Sequence, residues 1–381
     1  MQKGNSTSQK NRIWLTGKLD ITFLSFVLIL LTIGLVMLFS ASYAYSYEYY
    51  NNSYRFILKQ AIFAAIGVAF MLGISRIDYH FLRKFAWVIY FITMFMLFAL
   101  LLIPPMVKGM DVKRWIIIGP INFQPSEIAK FAIILLFSSF IAANHKRMGE
   151  IKVVFLLLGI LLAMCVLVAL EPHLSATVLI FAIGIIIMVV GGMKVMHIVA
   201  GFILGAVGFA LAIFTNVIGY GSDRIKYWLD PWLDAKGKGF QIIQSLLAIG
   251  SGGVLGRGIG QSRQKYLWVP EPHNDFIFSI VCEELGLIGA LIVILLFALL
   301  IWRGFVIAMN APDKFGSFLA IGLTFQVGLQ AMLNIWVVTN TIPNTGISLP
   351  FFSYGGTSLV LLLIEMGIVL SVSRMSNMEK S

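Results

Sequence analysis

The chain has 381 residues, 59% of them hydrophobic and only 12% charged, with a formal net charge of +11. Soluble domains are nearer half apolar and a quarter charged, so this composition excludes an ordinary soluble globule and points to a membrane. The positive balance suits the Lys and Arg excess of cytoplasmic loops and calls for no nucleic-acid partner.

Residues 1–20 read as a basic cytoplasmic tail. The apolar run after it follows Lys3, Lys10, Arg12 and Lys18, as a signal core would. It is longer than the roughly 7–15 residues of such a core, and many similar runs follow, so it is read as a retained helix. A spanning helix needs about 20 mostly apolar residues. Ten stretches qualify: 21–43, 56–75, 85–104, 125–144, 151–170, 174–192, 195–216, 276–302, 315–338 and 354–373. An even number places both termini on one side. Arg76, Arg83 and Lys84, then Lys146, Arg147 and Lys152, then Lys194, Arg303, Lys314 and Arg374 make that side cytoplasmic. The expectation is an all-α polytopic membrane domain covering 1–381, with a second cytoplasmic tail at 374–381. No internal repeat supports an inverted-repeat transporter. Cys165 and Cys282 lie in apolar segments and suggest neither a disulfide framework nor a zinc site.

Between the seventh and eighth spans, residues 217–275 form a large outer loop. It holds Tyr227, Trp228, Trp232, Phe240, Tyr266 and Trp268, and an apolar stretch from Ile242 to Ile249 that suits an interfacial helix. An ordered cap on the outer leaflet is expected. Arg224, Lys226, Lys236, Lys238, Arg257, Arg263 and Lys265 run against the positive-inside tendency. A solvated loop, anionic phospholipid and a diphosphate-linked lipid substrate would each account for them, the last favouring arginine for bidentate contact. The glycine-rich run Ser251–Gly260 lacks the lysine and spacing of a P-loop.

The loop ends at Pro270-Glu271-Pro272-His273-Asn274-Asp275, where the eighth span begins. Asn274 or Asp275 suits a helix N-cap. Asp275 equally suits a general base held where membrane meets water. Glu283 and Glu284 follow eight and nine residues on, turned about 80° and 180° from Asp275 on a regular helix, so the pair cannot both sit beside it. Intramembrane carboxylates are functional candidates, with a structural hydrogen bond to a neighbouring helix as the alternative. Upstream, Arg114 precedes Gln124-Pro125-Ser126-Glu127 and Lys130; Glu127 and Lys130 can pair at i, i+3, as a simple charge pair or as a cationic site for an anionic substrate. Residues 343–358, rich in proline and glycine, read as a re-entrant turn, which survives at membrane depth only when buried in protein or lining a cavity. Glu365 follows in the last span with no assigned role.

Taken together, these motifs resemble the SEDS family (shape, elongation, division and sporulation), which includes FtsW, RodA and SpoVE. The resemblance rests on Arg114-Trp115 with Gln124-Pro125-Ser126-Glu127 and Lys130; Asp230-Pro231 with Gln241 and Gln244-Ser245-Leu246; Ile249-Gly250-Ser251-Gly252-Gly253; Pro270-Glu271, His273, Asp275-Phe276-Ile277-Phe278 and Glu283-Glu284-Leu285-Gly286; and Leu349-Pro350 with Ser353-Tyr354-Gly355-Gly356. The last of these, continued by Thr357-Ser358, is more like the FtsW and SpoVE branch. The chain departs at Glu171-Pro172-His173-Leu174-Ser175, since many members carry an acidic residue where His173 stands.

The resemblance implies a bacterial cytoplasmic-membrane glycosyltransferase that polymerises lipid II on undecaprenyl-diphosphate-linked glycan at the outer face. Asp275 is the expected catalytic residue. Arg114, Glu127, Lys130, Arg224, Gln244, Ser245, Arg257, Ser262, Lys265, His273, Glu284 and Ser353 are the expected substrate contacts. A divalent cation, Mg2+ or Mn2+, is the one cofactor such a mechanism admits, and no metal ligands are assigned. The implied partners are a class B penicillin-binding protein, which supplies the transpeptidase, and other divisome or elongasome membrane proteins. A lipid II flippase and a non-catalytic scaffold for the transpeptidase are the competing readings.

Overall fold

The computed structural model describes residues 17–102, 114–118, 121–171, 173–194, 196–197, 226–237, 239–266 and 268–379. Nearly all of the expected span 195–216, together with Lys113, Arg224 and Lys238, lies outside the described residues.

The described chain is mostly helical. Before the large loop come α1 (Ile21–Tyr50), α2 (Arg55–Ile74), the short α3 (His80–Arg83), α4 (Ala86–Leu102), α5 (Pro125–Asn144), α6 (Ile151–Leu170) and α7 (Leu174–Val190). Within the loop lies α8 (Phe240–Gly252); after it come α9 (Ile277–Met309), α10 (Lys314–Val338) and α11 (Gly356–Glu379). Among the described residues, seven helices are long and apolar enough to cross a membrane, and the apolar helices α4 and α7 are shorter, with 17 residues each. This is an integral membrane protein.

Local chemistry sets the helix ends. Asp20 caps α1, its carboxylate accepting the Phe23 N–H at 2.9 Å, and Asp313 caps α10 in the same way through Phe315. Pro125 occupies the first turn of α5. Three helices outrun their expected ends; α11 runs to Glu379, through residues expected as a tail. α1 continues to Tyr50 and stops at Asn51, which takes a left-handed φ of 51°. α9 continues to Met309, past Arg303, whose guanidinium is tied to Asp20 of α1 at 2.7 Å. A purely helical expectation also misses one hairpin: β1 (Ile116–Ile118) pairs antiparallel with β2 (Ile121–Phe123) just before α5.

The core centres on α5, buried almost without interruption from Ala129 to Ser138, with α10 and α11 beside it. Small residues bring helices close, as lipid-embedded packing requires: Leu363 of α11 covers Gly67 of α2, and the backbone at Met71 of α2 lies against Gly367 of α11. One end of the bundle gathers the Asp20–Arg303 pair, Arg374 and the cluster Asp78, His80 and Asp313. The other end gathers residues 271–276, the turn 343–355 and the starts of α5 and α7.

α9 is broken within its apolar run. Gly286 takes φ 67°, ψ −169°, a conformation open to glycine. The glycine-rich run after α8 fills the break. Leu287 N–H donates to the Gly253 carbonyl and Ile288 N–H to that of Val254, while Arg257 and Gly258 N–H donate to the carbonyls of Glu283 and Glu284. Gly256, at φ 79°, lies directly against the Glu284–Gly286 backbone, where no side chain fits. The polar groups freed by the break are thus satisfied by protein, as a low-dielectric surround demands. The expected interfacial helix is α8; it packs on α9, with Gly252 against the Cys282 carbonyl, and Ser245 Oγ donates to the Val338 carbonyl of α10 at 2.8 Å.

Candidate active site

Asp275 sits two residues ahead of α9, whose N-cap position is Phe276 and carries no side-chain cap. The N-cap expectation for Asn274 or Asp275 therefore does not hold. Pro270 and Pro272 stiffen the backbone that leads to Asp275, and Glu271 takes a positive φ of 45°. Backbone groups of this segment are held from two sides. Asn334 of α10 donates through Nδ2 to the Asp275 carbonyl at 2.7 Å and to the Ile347 carbonyl at 2.6 Å. Ser353 Oγ donates to the Asn274 carbonyl at 2.8 Å, and Tyr354 N–H donates to the His273 carbonyl at 2.9 Å. The turn 343–355 thereby wraps the segment, with Gly346 beside the Asp275 carboxylate.

Asp275 is half-buried, and its carboxylate accepts no hydrogen bond among the described residues. Burial pushes its carboxyl up to about 6; the negative charge of Glu271 adds to the rise and Arg114 opposes it. Glu171, at the end of α6, is pushed up to about 8 by burial, with Arg114 again opposing. Arg114 thus lies within electrostatic reach of both carboxyls. His273 is buried among Phe56, Tyr45 and Tyr354, with ring centroids 4.4, 4.8 and 6.0 Å away, and burial pushes it down to about 4, so it is neutral at pH 7. His173 approaches Ser126 at 3.3 Å and Gln124 at 3.4 Å, and Ser175 Oγ donates to the Thr345 carbonyl, closing the α7 start onto the turn.

Below the turn, Lys130 pairs with Glu127 at 2.9 Å and donates to Gln330 at 2.9 Å; Gln330 in turn donates to Ser348. The i, i+3 pair expected from the sequence is therefore present, and it faces the cavity beneath the turn. Gln326, Gln330 and Asn334 recur every four residues on α10, one polar stripe serving Glu365, Lys130 and Asp275 in turn. Sequence reasoning passed over this stripe, although its spacing on an otherwise apolar helix was visible.

Other expected contacts are bonded within the protein. Glu284 accepts from Ser40 of α1 at 2.6 Å, from Lys265 at 3.1 Å and from the Ser262 N–H at 3.2 Å. Glu283 accepts from the Ser262 hydroxyl and from the Arg263 N–H at 2.9 Å. Arg257 donates to the Ser251 carbonyl at 3.1 Å, and Gln244 is buried on α8. These groups fasten the loop to α9 and α1; they do not converge on the Asp275 carboxylate.

The family model described as "Cell cycle protein" (FTSW_RODA_SPOVE) matches residues 21–378. Stage V sporulation protein E of Bacillus subtilis is 41% identical over 94% of this chain and 97% of its own length. A probable peptidoglycan glycosyltransferase FtsW of Geobacter sp. (strain M18) is 36% identical over 93% of this chain and 96% of its own. Among solved structures, a chain from a peptidoglycan synthase complex that coordinates polymerization and crosslinking superposes with a TM-score of 0.79 at 27% identity, covering 95% of this chain and 99% of that one. The rod shape determining protein RodA of Thermus thermophilus shares the fold, with a TM-score of 0.69 at 24% identity over 93% of this chain and 97% of its own.

Proposed function

This chain belongs to the FtsW, RodA and SpoVE family of cell cycle proteins, and on that premise we propose that it is a peptidoglycan glycosyltransferase polymerising lipid II through Asp275. The observation that carries the residue assignment is a carboxyl without hydrogen-bond donors, lifted to about 6 and fixed through its own main chain by Asn334. A base with a pKa near the working pH combines an ionised population with proton affinity.

In this reading the chain lies in the cytoplasmic membrane as ten spans, with both termini inside and Asp275 at the outer face. The donor is glycan on undecaprenyl diphosphate and the acceptor is the sugar 4-hydroxyl of lipid II. Asp275 takes the hydroxyl proton as the new carbon–oxygen bond forms. The bond to the diphosphate breaks, and its electron pair leaves with the diphosphate. Arg114 stabilises the charge that builds there. Lys130 and Glu127, paired beneath the turn, bear on the substrate through the turn they support and not by direct contact. Among the described residues no group of three His, Cys, Asp or Glu forms a metal centre. Glu271, an exposed carboxylate within electrostatic reach of Asp275, would help hold a divalent cation that takes most of its ligands from diphosphate oxygens and water, leaving Asp275 free as the base. Such an ion would add charge neutralisation at the leaving group.

A class B penicillin-binding protein is the expected partner, supported by the likeness to the synthase complex. The test is polymerisation of labelled lipid II by purified wild type and Asp275→Ala, each with its partner, with divalent cation and with moenomycin to silence contaminating polymerases. Glycan ladders are expected from the wild type alone. Equal ladders from both would remove Asp275 from the mechanism, and none from either folded protein would favour transport or scaffolding.

A further inference from the structure

Glu365 of α11 belongs to neither the loop network nor the Asp275 segment. It is 1% exposed, and Gln326 beside it is 3% exposed. Gln326 Nε2 donates to Glu365 Oε2 at 2.8 Å. The remaining oxygens, Glu365 Oε1 and Gln326 Oε1, are both buried and have no hydrogen-bond partner. Both residues line one cavity of about 30 Å³, together with Glu127, Lys130, Gln330 and Ser358. That volume suits one or two water-sized occupants.

The charges around the cavity do not balance. Glu127 is paired with Lys130, whose ammonium is 2% exposed and also holds Gln330. With that pair neutral, an ionised Glu365 would leave one negative charge in a membrane interior, a costly state unless a proton or a cation neutralises it. The charged groups acting on Glu365 are Lys130 and Glu127 of α5; α10 presents the neutral Gln326 and Gln330, and α2 meets α11 through Gly67 and Met71. Two orphan oxygens on a buried carboxyl–amide pair, a need for one positive charge and a space of this size suit a small, hard, singly charged cation, with a proton as the competing occupant. Divalent ions require more carboxylates or retain several waters, for which this cavity lacks the room.

We propose that the Glu365–Gln326 pocket binds a largely dehydrated monovalent metal cation of about the size of sodium, held by Glu365 Oε1, Gln326 Oε1 and a neighbouring hydroxyl or water. The ion completes the charge balance between α5, α10 and α11, and so stabilises the helices on which the Asp275 segment rests. The site does not depend on the polymerase reading.

The test uses the full chain in detergent micelles or nanodiscs at constant ionic strength, with choline chloride replaced by sodium chloride. Bound ²²Na⁺ and the unfolding temperature are measured. Wild type should bind about one sodium ion per chain, saturably, and its unfolding temperature should rise by several degrees as binding saturates. Glu365→Gln preserves shape and the bond to Gln326, and should abolish both effects. Gln326→Leu should weaken binding about tenfold, and Asp275→Ala should leave it intact. Absence of saturable sodium binding in folded wild type would overturn the proposal, as would equal binding by Glu365→Gln. A stability that follows pH but not sodium would also overturn it, since a proton alone would then neutralise Glu365.

Discussion

A carboxylate that accepts main-chain N–H groups is stabilised as an anion, as Glu283 is by Arg263 and Gln264. Asp275, eight positions earlier, has no such donor and is held only through its carbonyl. The contrast predicts a pH profile. A general base works when ionised, so kcat/KM for lipid II polymerisation should rise from pH 5 to 7 with a midpoint near the value of about 6 to which burial lifts Asp275. Glu271→Gln removes the neighbouring negative charge that adds to that rise, so its acid limb should move to lower pH. An unchanged limb would mean that another group sets it. Asn334→Ala leaves two buried carbonyls without their donor, each loss worth about 1–3 kcal/mol of stability. Its polymerisation rate should fall about tenfold or more while KM changes little, because Asn334 positions Asp275 and touches no substrate in this mechanism. The segment that carries Asp275 was legible in the sequence because prolines and polar residues gather where an apolar span begins. Asn334 was not, because an amide inside a helix gives no sign of which loop returns to it.

At the scale of elements, the helices were legible because their apolar runs exceed what any soluble packing needs; α5 and α6 begin and end where expected. The break in α9 was not. A glycine in a membrane span is ordinary, and only the return of residues 253–258 makes Gly286 a hinge. The same blindness applies to Glu283 and Glu284. Assigning them to faces of a regular helix separated them from Asp275, but it could not show that the outer loop folds back to take both. The glycine-rich run lacks the spacing of a phosphate-binding loop, and its packing partner is a backbone some thirty residues away. Two substitutions test this clasp. Gly286→Ala and Gly256→Ala each force a side chain into a left-handed conformation against packed backbone, costing at least about 1–3 kcal/mol in strain alone. Both should lower the unfolding temperature markedly, whereas Gly159→Ala, with open space around its α-carbon, should not.

On the scale of the whole molecule, the two ends of the bundle are built differently. The Asp275 end is tied by main-chain carbonyls and amides, and it carries carboxyls lifted by burial. The opposite end is tied by charge. His80 lies between Asp78 at 2.7 Å and Asp313 at 3.5 Å, and these partners push it up to about 9 while Asp78 and Asp313 are held low. A group raised in the fold contributes stability below its unfolded value near 6.5 and loses it as pH climbs through about 9. The unfolding temperature of wild type should therefore decline between pH 7 and 9.5 by more than that of His80→Ala. The difference should be small, because the ring is about one-third exposed and solvent screens the pair. Comparable declines in both proteins would assign the change to other groups.

The interrupted α9 has a mechanical consequence. A continuous helix behaves as a stiff rod, and a push on one end arrives at the other. Here the rod is jointed at Gly286, and the joint is gripped by the backbone of 253–258. Torque applied to residues 287–309 by a neighbouring protein would load that grip before it reached Asp275, so the outer loop, and not the long helix, is the natural lever through which an assembly could tighten or slacken the segment that carries Asp275.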